Sequence, residues 1–167
     1  MDFYGDFKGY PVLVHGNRGA SGIDGNIASA AGLSVALDKP VTVLIGDLAL
    51  LHDLNSLAMA KTLKHPMVIV VVNNDGGAIF SFLPIADSKD VFEKFFGTPH
   101  GLSFEGVAFM FGLSYAKIDS AKAFSRAYQD AFKKNSSTII EVTTDRADNL
   151  KVHKALQAKI INAVSKS

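Results

Sequence analysis

The alternation of strand-length and helix-length segments is the feature that most constrains this chain. Apolar runs rich in β-branched residues have the length of strands at residues 11–15, 41–45, 67–72 and 138–142. Helical spacing of apolar residues occurs at residues 24–37, 53–63, 104–111, 121–132 and 150–164. Strands that are apolar on both faces and alternate with helices are typical of a parallel sheet covered on both sides. The sequence therefore predicts an α/β, Rossmann-like three-layer domain with a mainly parallel sheet.

The composition fits one domain and excludes several classes of function. The chain has 167 residues, 48% of them hydrophobic, and no Ser/Gly-rich linker, so we expect residues 1–167 to form a single domain. The formal charge of +1 favours neither nucleic acid nor an anionic membrane as a partner. The absence of cysteine excludes disulfides, zinc–thiolate sites and thiol nucleophiles. No apolar run reaches the roughly 20 residues that span a bilayer, and we expect a cytoplasmic protein.

Polar residues directly follow the second and third predicted strands. Gly46 and Asp47 follow the second strand, and Asn73 and Asn74 follow the third. Ligands of open parallel sheets bind outside the carboxyl ends of the strands, so these residues converge if the two strands are neighbours. Carboxylate, amide and carbonyl oxygens suit Mg²⁺, and the spacing makes Asp47, Asn74 and Gly76 the candidate ligands. The alternative is that the acid caps a turn and the asparagines form Asx turns; local chemistry leaves both open.

Glycines near the same strand ends favour the binding of a bulky anion. Gly46, Gly76 and Gly77 remove side chains from this edge, so that a diphosphate could approach the backbone. A helix beginning near Asp53 would add the positive end of its dipole. The five histidines show no metal-ligand spacing, and none is assigned a role. Residues 80–101 are predicted to be irregular and are a candidate lid.

Three blocks of the sequence resemble a known enzyme family. GDL, followed by 24 residues and then NN, resembles the thiamine diphosphate motif of the 2-oxo-acid decarboxylases and carboligases. That motif usually begins GDG, and Leu48 replaces its third glycine. NRGASGIDG at residues 17–25 and NNDGGAIFSFLP at residues 73–84 resemble segments of the MenD family, the carboligases of menaquinone biosynthesis. GDLALLHDLNSL fits the same family, and the likeness runs roughly from Gly9 through the final helix.

The resemblance implies a specific reaction and cofactor. MenD proteins are 2-succinyl-5-enolpyruvyl-6-hydroxy-3-cyclohexene-1-carboxylate synthases, which decarboxylate 2-oxoglutarate on thiamine diphosphate and join the succinic semialdehyde unit to isochorismate. The family pattern makes Asp47, Asn74 and Gly76 the ligands of Mg²⁺, with Mn²⁺ as the alternative metal. The cofactor-binding residues that it implies are Ser21, Gly22, Ile23, Gly46, Asp47, Leu48, Asn74, Gly76, Gly77 and Ile79.

The resemblance also implies how the substrates are held. Ile23 would be the apolar wedge that keeps the cofactor bent, and Arg18 would bind a substrate carboxylate through its planar guanidinium. Ile79, Phe80 and Leu83 would line the cavity and exclude water, for which simple core packing is the alternative.

MenD proteins are longer than this chain, with a pyrimidine-binding and a middle domain that we do not find in it. The glutamate that contacts the aminopyrimidine would come from the pyrimidine-binding domain of the same or a partner subunit, so no catalytic residue is assigned here. We expect the isolated chain to be inactive and the full-length enzyme to be a homo-oligomer. The alternatives are another thiamine diphosphate-dependent decarboxylase, an acetolactate synthase, or a non-catalytic assembly domain.

Overall fold

The described residues form one parallel sheet. The structure is a computed structural model that describes residues 13–17, 22–134 and 136–165. The sheet has four strands in the order β1-β2-β4-β3, and every neighbouring pair is parallel. Its strands are β1 (Val41–Gly46), β2 (Met67–Asn73), β3 (Ser114–Ile118) and β4 (Thr138–Thr143). The predicted α/β class is confirmed, and the second and third apolar runs are neighbours, which is the condition for the predicted convergence of their polar ends.

Seven α-helices precede, connect or follow the strands in the described ranges. They are α1 (Asn26–Leu37), α2 (Asp47–Leu51), α3 (Leu57–Thr62), α4 (Lys89–Phe92), α5 (Glu105–Phe111), α6 (Ala121–Lys133) and α7 (Arg146–Val164). Shorter turns are 3₁₀ at Leu54–Ser56, Ala78–Phe82 and Pro84–Asp87, and π at Glu93–Gly97. In this part of the chain, no helix combines the length and the apolar composition needed to cross a membrane.

The central strand β2 buries side chains on both faces of the sheet. Met67, Ile69 and Val71 pack in a core that includes buried residues of α1, α3 and α5. Val68 and Val70 point the other way and pack with α6. Successive residues of a strand face opposite sides, so a run of five buried apolar residues requires helices on both sides. This arrangement gives the three layers that the sequence predicts.

One predicted strand is not formed in the described residues, and one observed strand was not predicted. Residues 13–15, the described part of the first predicted strand, form no strand, and residues 11–12 lie outside the described residues. The strand β3 was missed because its sequence, SYAKI, carries polar residues and shows no continuous apolar run. It lies at the edge of the sheet beside β4, where polar side chains remain partly exposed.

Two helix starts also differ from the prediction. The helix expected near Asp53 begins at Asp47 and is broken by a 3₁₀ turn before α3. Asp53 instead accepts a hydrogen bond from the backbone N–H of Ile27 at 2.6 Å, so it anchors α1 rather than starting a helix that faces a ligand. The last helix begins at Arg146, because Asp145 caps it by accepting the N–H of Asp148 at 2.8 Å.

The segment at residues 80–101 is packed, although it contains no long element. Phe92 is 7% exposed and stacks on Phe96, with ring centroids 6.4 Å apart. Phe96 meets Phe80 edge-on at 5.7 Å. Phe95 points outward, 62% exposed, with the ammonium of Lys94 5.1 Å from its ring centre. Phe80, Phe92 and Phe96 therefore anchor this segment through ring contacts, whereas Phe95 does not, and a lid function stays a prediction.

Candidate functional site

The carboxyl ends of β1 and β2 bring Asp47 against the turn that follows β2. Gly46 at the end of β1 pairs with Val72, which places Asp47 beside residues 74–76. Asp47 is 2% exposed, and its Oδ2 accepts the backbone N–H groups of Asn74 (3.2 Å) and Gly76 (2.9 Å). Its Oδ1 accepts the N–H of Leu48 at 2.7 Å. The predicted convergence of the two strand ends is confirmed.

The side-chain oxygen of Asn74 is buried without a partner. Among the described residues, Asn74 Oδ1 is the buried side-chain nitrogen or oxygen atom that makes no hydrogen bond. An orphaned buried acceptor destabilises a fold by about 1–3 kcal/mol, so such an atom in a native protein needs an explanation. An amide oxygen is a hard ligand of the kind that Mg²⁺ accepts. A divalent cation therefore fits this atom.

The donor set at this site contains few charges. No group of three His, Cys, Asp or Glu side chains that could hold a metal ion occurs in residues 13–17, 22–134 and 136–165. A metal beside Asp47 would therefore depend on amide and carbonyl oxygens besides one carboxylate. Mg²⁺ tolerates this, because it keeps several waters and is often bound through one or two carboxylates and substrate phosphates.

Two glycines shape the turn after β2. Gly76 has φ 126°, and a Cβ at this residue would lie 1.9 Å from the carbonyl oxygen of Gly97. A Cβ on Gly77 would lie 2.3 Å from the carbonyl oxygen of Phe96. The carbonyl of Gly76 accepts one hydrogen bond, from Ala78 at 3.0 Å, which leaves a lone pair for another ligand. The backbone of residues 96–97 therefore occupies the space that a side chain at Gly76 or Gly77 would need.

Asn73 has a different environment from Asn74, its neighbour in the chain. Its Nδ2 donates to Glu141 Oε1 at 2.7 Å and to the carbonyl of Leu102 at 3.0 Å. Its Oδ1 accepts the N–H of Asp75 at 3.2 Å, which is an Asx turn. The alternative of a local turn is thus confirmed for Asn73, and its side chain is fully used by the fold.

Glu141 on β4 collects the other hydrogen bonds beneath this turn. It is 1% exposed, and its Oε2 accepts from the Tyr115 hydroxyl (2.7 Å) and the Phe104 N–H (2.9 Å). Burial raises the pKa of Glu141, but hydrogen bonds from Tyr115 and Asn73 outweigh it and hold the pKa below its usual value. Burial is also the main reason that the pKa of Tyr115 rises to about 12. Glu141 is a buried charge whose partners belong to the fold.

His100 reaches Asp47 from the loop before α5. Its Nε2 lies 3.1 Å from Asp47 Oδ2, and its side chain is 10% exposed. Asp75, with φ 58°, holds this loop by accepting the N–H groups of His100 (2.8 Å) and Gly101 (2.7 Å). The Gly101 N–H is the main reason that the pKa of Asp75 lies below its usual value. Sequence reasoning missed His100 because 53 residues separate it from Asp47 and no local pattern marks the contact.

Comparison with known families identifies the fold of this site. A model of the C-terminal TPP-binding domain of thiamine pyrophosphate enzymes matches residues 6–142. The chain belongs to this family. Strand ends that converge on an acid and a glycine turn are therefore features of a thiamine diphosphate-binding domain.

Curated relatives make the predicted resemblance more specific, and it is confirmed. The 2-succinyl-5-enolpyruvyl-6-hydroxy-3-cyclohexene-1-carboxylate synthase of Rubrobacter xylanophilus is 55% identical over 156 residues, covering 93% of this chain and 27% of the relative. The synthase of the same name from Chlorobium phaeobacteroides is 48% identical over 168 residues, covering 99% of this chain and 29% of the relative. The chain thus spans just over a quarter of the length of these relatives.

Solved structures show the same fold. The thiamine diphosphate-dependent 4-hydroxybenzoylformate decarboxylase of Rhodococcus jostii is 29% identical, with a TM-score of 0.62, over 72% of this chain and 23% of the other. The benzoylformate decarboxylase of Polynucleobacter necessarius is 18% identical, with the same TM-score of 0.62 over 72% of this chain and 23% of the other. The second likeness concerns the fold alone.

The remaining predicted residues of this thiamine diphosphate-binding domain lie at its surface or outside the described ranges. Ile79 is 72% exposed and Leu83 is 50% exposed, so core packing is excluded for both. Phe80 is partly buried against Phe96. Ile23 is 44% exposed and precedes α1, where its carbonyl accepts from Asn26 Nδ2 at 2.8 Å. Arg18 and Ser21, which were also predicted, lie outside the described residues.

The remaining predicted glycines and Leu48 differ in how much the fold requires them. A Cβ on Gly46 would meet no atom within 4 Å, so packing does not demand glycine there and the edge stays open. Gly22 is exposed, and a Cβ there would meet only the Asp24 side chain, at 3.0 Å. Leu48 is half-buried and contributes its N–H to Asp47.

Asn74 also borders a cavity of about 600 Å³. The cavity lies between the turn after β2, the 3₁₀ segments and the start of α7. Its charged lining includes Lys89, Glu93 and Arg146, and Arg146 is paired with Glu93 at 2.9 Å. Asn74, whose amide oxygen has no hydrogen-bond partner among the described residues, therefore contacts Asp47 and also lines this cavity.

Proposed function

We propose that this chain is the diphosphate- and magnesium-binding part of a 2-succinyl-5-enolpyruvyl-6-hydroxy-3-cyclohexene-1-carboxylate synthase, a transferase of menaquinone biosynthesis. The enzyme would release CO₂ from 2-oxoglutarate and join the remaining succinic semialdehyde unit to isochorismate. Identities of 48% and 55% over more than nine-tenths of the chain support this activity over that of another decarboxylase. A cytoplasmic location accords with this role and stays a prediction.

The buried, unpartnered Oδ1 of Asn74 is the observation that carries the proposal. It lies on the residue whose own N–H is bonded to Asp47, so an acid and an amide oxygen belong to one small cluster. We assign Asp47, the side-chain oxygen of Asn74 and the carbonyl of Gly76 as ligands of Mg²⁺, with Mn²⁺ as a substitute. The cation would neutralise the diphosphate and fix its position.

The chain's own residues bind and orient the cofactor. Bound thiamine diphosphate supplies the carbanion chemistry, and the protein contributes orientation and electrostatics. Gly46, Gly76 and Gly77 let a diphosphate approach the backbone. Leu48 holds the metal-binding carboxylate through its N–H.

We place the reacting groups against an apolar surface. The exposed side chains of Ile79 and Leu83, with Phe80, would cover the substrate cavity and exclude water. Ile23, with Ser21 and Gly22, would lie against the aminopyrimidine. Arg18 would bind a carboxylate of 2-oxoglutarate or isochorismate through paired hydrogen bonds.

A second domain would complete the active site. The pyrimidine-binding domain of the same or a partner subunit would supply the glutamate that contacts the aminopyrimidine, in a homo-oligomeric enzyme. The isolated chain should therefore show no 2-oxoglutarate decarboxylation. Turnover by the chain alone at the rate of a full-length synthase would contradict this division of labour.

Calorimetric titration with thiamine diphosphate and Mg²⁺ tests the proposed cofactor site. The wild-type chain should bind with measurable heat, and Asp47→Ala should bind with much less. Asp130→Ala is the matched control, since Asp130 is a partly exposed acid on α6 that pairs only at 3.7 Å or more. Because Asp47→Ala removes the acceptor of three backbone N–H groups, Asn74→Leu serves as a second variant that leaves those bonds in place. Equal heats for all four proteins would overturn the ligand assignment.

A further inference from the structure

The hydrogen bonds of His100 fix the tautomer of its ring. The backbone N–H of Leu102 donates to Nδ1 at 3.0 Å, so Nδ1 acts as an acceptor and carries no proton. The ring proton is therefore on Nε2, which lies 3.1 Å from Oδ2 of Asp47. His100 consequently donates to the carboxylate.

The two oxygens of Asp47 carry unequal numbers of hydrogen bonds. Among the described residues, Oδ2 accepts from three donors, which are Asn74 N–H, Gly76 N–H and His100 Nε2–H. Oδ1 accepts from one donor, the N–H of Leu48. Each carboxylate oxygen offers about two lone-pair directions, so Oδ2 is saturated and Oδ1 keeps one direction open.

We propose that His100 is a positioning residue of the divalent-cation site: as the third donor to Asp47 Oδ2, beside two backbone N–H groups, it fixes the carboxylate so that Oδ1 is the oxygen presented to the cation. This inference rests on the proposed function above, because it concerns the cation that Asp47 would bind. A carboxylate held on one oxygen by three donors cannot rotate without losing them. His100 and the two backbone N–H groups together therefore set which oxygen faces the cation and in which direction.

The surroundings of His100 hold it in this role. Its backbone N–H and that of Gly101 donate to Asp75, and the carbonyl of Leu102 accepts from Asn73 Nδ2 at 3.0 Å. The ring meets the fully buried Phe104 edge-on, with centroids 6.4 Å apart. The loop is thus tied to the same turn that carries Asn74, and the contact with Asp47 follows from several independent bonds.

Mn²⁺ binding in the presence of thiamine diphosphate, measured by the EPR signal of free Mn²⁺, tests the role of His100. His100→Leu removes the donor and should weaken Mn²⁺ binding at least about tenfold, the effect typical of groups that orient metal ligands. His100→Gln keeps an N–H donor on a side chain of similar length and should restore most of the affinity for Mn²⁺. His65→Leu is the matched control, because His65 makes a comparable contact with an acid, Asp38, at 2.9 Å, away from the site.

The outcomes separate this inference from the proposed function. Wild-type binding, loss in His100→Leu and recovery in His100→Gln, with His65→Leu unchanged, would support the positioning role. Equal affinity for wild type and His100→Leu would overturn it and leave the cation site intact. Absence of Mn²⁺ binding by the wild type would overturn the cation site and this inference with it. Equal weakening in both His100 variants, in parallel with lower thermal stability, would show a merely structural residue.

A spectroscopic measurement on the cofactor-free chain gives an independent check. The ¹⁵N shifts of His100 should show a protonated Nε2 and an unprotonated Nδ1, as its two hydrogen bonds require. A neutral ring whose only proton is on Nδ1 could not donate to Asp47 and would overturn the proposal, whatever the Mn²⁺ affinities.

Discussion

Two buried carboxylates lie near the carboxyl end of the sheet, and they differ in how completely their surroundings are paired. Glu141 is 1% exposed, and its partners include Asn73, Tyr115 and the backbone of Phe104. Asp47 is 2% exposed and equally well bonded, but the amide oxygen of Asn74 beside it has no partner. A buried polar cluster that satisfies all its members stabilises a fold, whereas one that leaves an acceptor free is suited to a ligand.

Glu141→Gln should have the largest effect on stability. All the groups around the carboxylate donate hydrogen bonds, so an amide NH₂ would face a donor, and we expect a loss of about 3 kcal/mol in the free energy of unfolding. Urea denaturation checks this, with Glu105→Gln as an exposed control on α5. A loss below about 1 kcal/mol would mean that the Glu141 cluster does not stabilise the fold in the way that its complete pairing suggests.

The pH dependence of the same variant follows from the lowered pKa of Glu141. A folded-state pKa below the unfolded value gives stability that is present above the unfolded pKa of about 4.3 and lost as the pH falls through the folded pKa. Wild-type stability should therefore fall more steeply with acid than that of Glu141→Gln. Parallel acid curves would contradict the assigned direction.

The adjacent asparagines offer the sharpest test of the comparison. Asn74→Leu removes an acceptor that has no partner, so stability should change by less than about 1 kcal/mol or increase. Its Mn²⁺ affinity in the presence of thiamine diphosphate should fall at least about tenfold, because a proposed ligand is lost. Asn73→Leu is the matched control. It should lose stability because it removes three hydrogen bonds: two that Asn73 Nδ2 donates, to Leu102 and Glu141, and one that its Oδ1 accepts from Asp75. Equal destabilisation by both variants would remove the distinction between the two clusters.

The convergence of the strand ends could be predicted from the sequence, but the contacts that hold Asp47 and Glu141 could not. Asp47 and Asn74 each come directly after a strand, and parallel strands bring such positions together. Glu141 could be placed on a strand, but its partners Asn73 and Tyr115 lie 68 and 26 residues away. His100 reaches its target only through a loop whose path depends on such long-range bonds. These contacts leave no periodic pattern, and sequence reasoning therefore missed them.

Tyr115→Phe should have a smaller effect on the Glu141 cluster. The hydroxyl donates to Glu141 at 2.7 Å, and its loss should lower the free energy of unfolding by about 1–2 kcal/mol near pH 7. The pKa of Tyr115 is raised to about 12, so its contribution is fully present below the unfolded pKa of about 10 and is lost as the pH rises towards 12. Thermal unfolding at pH 9 to 11.5 should show this decline in wild type and a shallower one in the variant. Identical alkaline curves would show that the hydroxyl does not couple to folding.

Asp75→Asn should have the smallest effect, because the side chain is half-exposed and solvent screens its charge. Asn tolerates the positive φ of 58° and keeps an oxygen for the N–H groups of His100 and Gly101. The lowered pKa of Asp75 gives a contribution that is present above its unfolded pKa of about 3.9 and lost as the pH falls through the folded value. The variant should therefore lose less stability with acid than wild type, by a smaller margin than Glu141→Gln does. If the acid response of Asp75→Asn were as large as that of Glu141→Gln, the loop that carries His100 would depend on the Asp75 charge as strongly as the Glu141 cluster depends on its carboxylate.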